Sequence, residues 1–305
     1  MLHSLVQKVA DSHPEGWTLI GCQGVPDATL LWVDLRQERR FDRELSNRHL
    51  LAWLEEKSPP IVRTGLAALM EVEENAALHP SLIIVHASRC GSTLLARLAA
   101  AASDASLLLE PQLLLQLLSH DLAGELGYPP EIVLPKAVRA LTPQSDRPGV
   151  LKLNSRTTRF LPALRKAFPK TPVIWLQRQP VEIVESNLSR PPSSGLLGLS
   201  GEEMAQWVLR WVTLGFMAAK AHVDRHVHVL DYEDFPDLAE ARLAEIMGFD
   251  LTRQLPRMQE VMRHDSKTGK PYVPRRRQAL PDEMRKLIHD TLDPLYHALA
   301  SRRRA

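Results

Sequence analysis

The 305-residue chain has only two cysteines, Cys22 and Cys90. Two thiols cannot build the disulfide framework of a small secreted domain, and their scarcity suits a reducing compartment. Long hydrophobic runs are missing too, since none reaches the ~20 apolar residues that a membrane span needs. The amino terminus carries Asp11, His13 and Glu15 where a leader peptide would have a basic stretch and an apolar core, so neither secretion nor an anchor is expected. An excess of one charge is likewise absent, because 38 basic residues stand against 36 acidic ones. That balance implies no nucleic-acid or membrane partner and requires any basic site to be local. What remains, 44% hydrophobic and 24% charged residues, is the composition of an ordinary globular protein, expected in the cytoplasm.

The chain is organised around residues 81–98, SLIIVHASRCGSTLLARL. Leu82, Ile83, Ile84 and Val85 read as a strand buried on both faces, Gly91 relieves a turn, and Leu94, Leu95 and Leu98 recur at helical spacing. A strand, a small-residue loop and a helix start in succession gather free backbone N–H groups at the positive end of a helix dipole. Together with the hydroxyls of Ser92 and Thr93 and the guanidinium of Arg89, they predict a site for one phosphate-sized anion, with Cys90 inside the loop. The bland alternative is a strand-to-helix turn that binds nothing. No Lys follows Gly91 and the G-x-x-x-x-G-K-[ST] spacing is absent, which weighs against a magnesium-NTP enzyme.

Ahead of the loop, residues 17–20 and 29–35 read as short strands, 47–57 as a helix, and 61–78 as a second helix after the Pro59-Pro60 break. Residues 1–80 are expected to form an N-terminal α+β extension packed by Trp17, Trp32 and Trp53, and residues 81–305 the main α/β domain. Beyond the loop, strand 106–109 ends at Glu110, and a carboxylate at the carboxyl end of a parallel strand lies where ligands bind. The alternative for Glu110 is an acid that merely favours a helix N-terminus. Strand 150–154 contains Lys152, which has to reach the sheet's end or neutralise an acid, because burying it unpaired is costly. Residues 122–148 border these elements as a candidate lid. An apolar run ending at Gln177 reads as a strand followed by a helix that starts at Pro180, with Glu182 and Glu185 on its solvated face. A long helix from Gly201 is expected to bury Met204, Trp207, Val208, Trp211 and Leu214, and a final helix to span 281–299. His222, His226 and His228 lack the surroundings of a metal site, so no metal is expected there.

Several of these stretches resemble one family, two of them most specifically. Ser88-Arg89-Cys90-Gly91-Ser92-Thr93-Leu94 resembles the P-[KR]-S-G-T-T-[LW] loop of sulfotransferases that use 3'-phosphoadenosine 5'-phosphosulfate (PAPS). Residues 168–186 are similar to that family's F-P-x-x-[KR]-[IV]-[IV]-x-[LV]-x-R-[DN]-P-x-[DE]-x-x-x-S element, whose Arg and Ser grip the 3'-phosphate; Arg178 and Ser186 match. Lys152 fits the Lys of the family's K-x-H element, which contacts the transferring group, but Asn154 replaces the His that serves as base. An amide cannot take a proton near neutral pH, so the base moves to Glu110, placed as in tyrosylprotein sulfotransferases. Residues 229–235 resemble a structural V-x-Y-E-D-L element, and Lys267 and Lys270 loosely occupy the slot of a basic late loop that closes over PAPS.

The resemblance spans about residues 82–299 and implies a P-loop NTPase-like three-layer α/β/α fold with a mostly parallel central sheet. It further implies sulfuryl transfer from PAPS to a hydroxyl or amine, with adenosine 3',5'-bisphosphate as product and no metal required. Glu110, Lys152 and Arg89 would be catalytic; Arg89, Cys90, Gly91, Ser92, Thr93, Arg178, Ser186, Lys267 and Lys270 would hold the donor. The expected partner is a small-molecule or peptide acceptor, and a homo-oligomer is left open. A P-loop kinase-like phosphotransferase and a non-catalytic nucleotide-binding scaffold are the competing classes.

Overall fold

Strands alternate with helices along most of the chain, and the computed structural model realises that alternation as an α/β fold with a mostly parallel central sheet. It describes residues 7–23, 28–119, 127–189, 201–235, 237–264 and 279–304. In chain order the elements begin with β1 (Gln7–Val9), β2 (Thr18–Gln23), β3 (Thr29–Val33), β4 (Glu44–Ser46), α1 (Asn47–Lys57), β5 (Ile61–Gly65) and α2 (Ala67–Met70). Then come β6 (Leu82–His86), α3 (Ser92–Ser103), β7 (Ser106–Leu109), α4 (Gln112–Leu118), α5 (Pro130–Leu141), β8 (Gly149–Lys152) and α6 (Leu161–Ala167). The remainder is β9 (Val173–Gln177), α7 (Pro180–Leu188), α8 (Gly201–His222), β10 (Val227–Asp231), α9 (Asp237–Met247), α10 (Leu251–Met262), α11 (Asp282–Thr291) and α12 (Asp293–Ala300). No helix among the described residues is long and apolar enough to cross a membrane.

The chain packs as two compact units. The first comprises Met1–Ile83, Asp104–Leu153 and Phe160–Thr171; the second comprises Ile84–Ser103, Asn154–Arg159 and Pro172–Ala305. Strand β6 begins in one and ends in the other.

In the first unit β2 and β5 flank β3 in antiparallel pairing, and β1 adds to β5 in parallel. The helix expected over 61–78 is instead β5, the short α2 and a 3-10 turn at Ala76–Leu78. Its opening, Ile61-Val62-Arg63-Thr64, is mostly β-branched and follows two prolines that favour extended backbone, so strand pairing wins. Trp32 is buried and donates its indole N–H to Thr64 Oγ1 at 2.8 Å, so one tryptophan locks β3 to β5. Helix α4 backs β2, where Gln116 accepts the Cys22 amide at 3.0 Å. Burial pushes the Cys22 thiol up to about 11, which leaves it inert near neutral pH. The central-sheet part of this unit runs β8-β7-β4, all parallel, with Leu109 opposite Lys152 and Ser46 opposite Leu109. The three-residue β4, supplied by the N-terminal segment, escapes a periodicity reading because it is too short to show a pattern.

The second unit holds the end of β6 beside β9, then β10 in parallel, with Asp231 opposite Gln177. The buried stripe of α8 is Ala205, Val208, Val212, Phe216 and Ala219. This corrects the expected stripe: Trp207 and Leu214 are 38% and 57% exposed, because the helix is turned by about one position toward the smaller side chains. The final helix is two, α11 and α12, parted at Leu292, where Asp293-Pro294 starts a new helix.

Candidate functional site

In the second unit, the carboxyl ends of β6, β9 and β10 deliver a loop and two side chains to one place. Strand β6 runs into the loop at residues 87–91, β9 into Arg178, and β10 into Tyr232. The loop is tied to β9 by two bonds to the Leu176 carbonyl, from the Ala87 amide at 3.0 Å and from Cys90 Sγ at 3.3 Å. The Cys90 side chain therefore faces the core, and what Cys90 offers toward a ligand is backbone. Ser88, Arg89 and Gly91 all have left-handed backbone, with φ of 73°, 47° and 82°. Successive left-handed turns of this kind curl a chain into a concavity lined with N–H groups, and α3 starts at Ser92 with its first-turn amides unpaired by helix geometry. Ser92 is buried and Thr93 half-buried.

Arg178 is 8% exposed. Its Nε donates to Glu182 Oε2, one Nη donates to the Arg89 carbonyl at 3.4 Å, and its guanidinium carbon lies 4.0 Å from the centre of the Tyr232 ring. Cation–π stacking fixes the plane of the guanidinium, and the remaining N–H groups of its five-donor fork have no partner among the described residues. Glu182, expected on a solvated face, is the residue that holds Arg178; Glu185 pairs with Arg285 of α11 at 2.7 Å. Ser186 sits one helical turn beyond Glu182, on the same face of α7. The two sequence clusters of the second unit, loop and Arg178, are thus adjacent.

Tyr232 was not legible as a site residue, because the element around it reads as structural. Strand register is the signal that finds it: Asp231 pairs with Gln177, so the next residues, Tyr232 and Arg178, leave the sheet side by side. The ring also closes on the loop. A Cβ added at Gly91 would lie 2.7 Å from both Cδ2 and Cε2 of Tyr232. Gly91→Ala therefore combines a left-handed backbone with a clash, and a loss of about 2–4 kcal/mol in a denaturant melt is expected. A variant as stable as the parent would show that the ring moves aside freely.

Glu110 and Lys152 meet in the first unit. Parallel register sets Leu109 opposite Lys152; the Glu110 amide then donates to the Lys152 carbonyl at 2.7 Å, and Lys152 Nζ donates to Glu110 Oε1. Lys152 is 2% exposed and meets the requirement for a buried cation, an acidic partner, while the Glu110 side chain is 43% exposed. Glu110 has a φ of 52°. A left-handed non-glycine costs roughly 1–3 kcal/mol, and such strain concentrates at functional sites. Asn154 caps the following turn, its Oδ1 accepting the Arg156 amide at 3.0 Å. Lys267 and Lys270 lie outside the described residues.

No protein-family model matches the chain, and no curated protein does. Among solved structures, a sulfotransferase from Alicyclobacillus acidocaldarius is similar over 74% of this chain and 96% of its own, at 15% identity and a TM-score of 0.48. The sulfotransferase domain from the curacin biosynthetic pathway aligns with 70% of this chain and 97% of its own, at 15% identity and a TM-score of 0.42. A sulfotransferase from Mycobacterium avium covers 57% of this chain and 47% of its own, at 20% identity and a TM-score of 0.39.

Proposed function

We propose that this protein is a PAPS-dependent sulfotransferase acting on a hydroxyl or amine of a small-molecule or peptide acceptor. The observation that carries the reading is the meeting of Arg178 with the loop of Gly91: a stacked guanidinium with donors to spare stands beside a concave, amide-lined turn. Two anion-binding features so close together suit a nucleotide phosphorylated at both its 3' and 5' positions better than a single phosphate. When bound, the donor supplies an activated sulfuryl group and leaves as adenosine 3',5'-bisphosphate.

In this reading Arg89, the amides from Cys90 to Thr93 and the hydroxyls of Ser92 and Thr93 hold the 5'-phosphosulfate. Arg178 and Ser186 hold the 3'-phosphate. Glu110 takes the proton of the acceptor, and Lys152 stabilises negative charge on the bridging oxygen. The ion pair between these two supports the assignment, because a proton taken by Glu110 removes the charge that holds Lys152 and turns the ammonium toward negative charge elsewhere.

The first test is thermal. Adenosine 3',5'-bisphosphate at ~100 times its dissociation constant adds about 2.7 kcal/mol, which for a chain of this length raises Tm by on the order of 5 °C. ATP with magnesium is expected to do less. Stabilisation by ATP with magnesium and none by the bisphosphate would replace this reading with a kinase-like one.

A further inference from the structure

His86 is the last residue of β6 and is 4% exposed. Its Nδ1 accepts the backbone N–H of Ser88 at 3.0 Å. An imidazole nitrogen that accepts carries no proton, so this bond is made by a neutral ring protonated on Nε2. Nδ1 is bonded to Cγ, as is the side-chain oxygen of Asn, and the contact reaches two residues ahead. His86 thus makes the turn that Asn and Asp make with their own backbone.

What the turn secures is the run of left-handed residues. Ser88 and Arg89, at φ of 73° and 47°, are side chains in backbone that only glycine adopts without cost, and they lead into Gly91. A second group meets Ser88 from α7: Asn187, 1% exposed, has its side chain 3.5 Å from Ser88 Oγ and donates to the Ile183 carbonyl at 2.9 Å. Ser88 is held on its amide by the strand and near its hydroxyl by the helix. The Ser88 N–H is consequently turned back toward the strand and is not a ligand donor; the donors begin further along the loop.

We propose that His86 is a positioning residue, whose Nδ1 fixes the loop in its anion-accepting curl before any ligand arrives. This rests on the reading of the loop as the site of the 5'-phosphate group. It touches no reacting atom, and its contribution is preorganisation.

The test is binding of adenosine 3',5'-bisphosphate by calorimetry to the full chain, its His86→Asn variant and its His86→Phe variant. Asn keeps an acceptor at the same bond distance, and affinity within about twofold of the parent is expected. Phe keeps bulk and burial but has no acceptor, and affinity about five- to tenfold weaker is expected. Hydrogen exchange at the Ser88 amide of the unliganded parent gives a readout that needs no variant, and protection is expected there. Equal binding by His86→Phe, equal loss in both variants, or an unprotected Ser88 amide in the parent overturns the inference while leaving the donor reading intact. A parent that does not bind the bisphosphate overturns both.

Discussion

Glu110→Gln is expected to lower turnover by about two to four orders of magnitude while leaving nucleotide affinity near that of the parent. The amide cannot take a proton, but its oxygen still accepts from the ammonium of Lys152, so the buried cation keeps a partner. Glu110→Ala does two things at once. It removes the same carboxylate and also orphans Lys152, which is 2% exposed. Breaking a buried pair costs roughly 3–5 kcal/mol, and the 43% exposure of Glu110 places the expected loss at the low end of that range. The two variants separate chemistry from folding: both should be slow, and only the alanine should melt early. Turnover is followed as bisphosphate release from PAPS with whichever hydroxyl or amine acceptor the parent uses. A Gln variant that turns over normally removes Glu110 from the mechanism.

Arg178→Ala should weaken binding of adenosine 3',5'-bisphosphate by about two to three orders of magnitude, corresponding to the roughly 2–5 kcal/mol lost when one member of a buried charge pair is truncated. The alanine strips the Tyr232 ring of its cation and takes away the guanidinium that Glu182 Oε2 bonds. Arg178→Lys should rescue little. An ammonium on a flexible stem cannot lie flat on the ring, bond Glu182 and present a fork to phosphate together. Calorimetry decides the matter, and an Arg178→Ala variant with parental affinity would dissociate this arginine from the donor.

The strands and helices around the site were legible because each carries an unbroken local pattern. The aliphatic run Leu82-Ile83-Ile84-Val85 could only be a strand buried on both faces, and Pro180 announced α7 at its first turn. The break at 57 and the helix before it were visible in Leu50, Leu54 and Pro59-Pro60. Patterns failed where a long-range partner decides the outcome. Residues 61–65 become a strand because β3 is there to pair with them, and the phase of α8 is set by what packs against Val208 and Phe216. The same distinction holds at the site. Arg89 and Gly91 were singled out from the strand-loop-helix pattern, Arg178 from the family resemblance, and Lys152 from the cost of burying a cation. Tyr232, Glu182, His86 and Asn187 were not found, since each acts by touching a residue of another element or by bending backbone, and neither property leaves a trace in composition or periodicity.

The braces of the loop, His86, Asn187, the Leu176 carbonyl and the Tyr232 ring, all belong to the second compact unit, whereas Glu110 and Lys152 belong to the first. The two sets are built from different stretches of the chain. Under the proposed roles, a lineage could lose its proton acceptor and keep a well-shaped nucleotide grip, or retain the ion pair while the grip drifts toward another anion, so orthologues that bind without reacting would be an accessible evolutionary outcome.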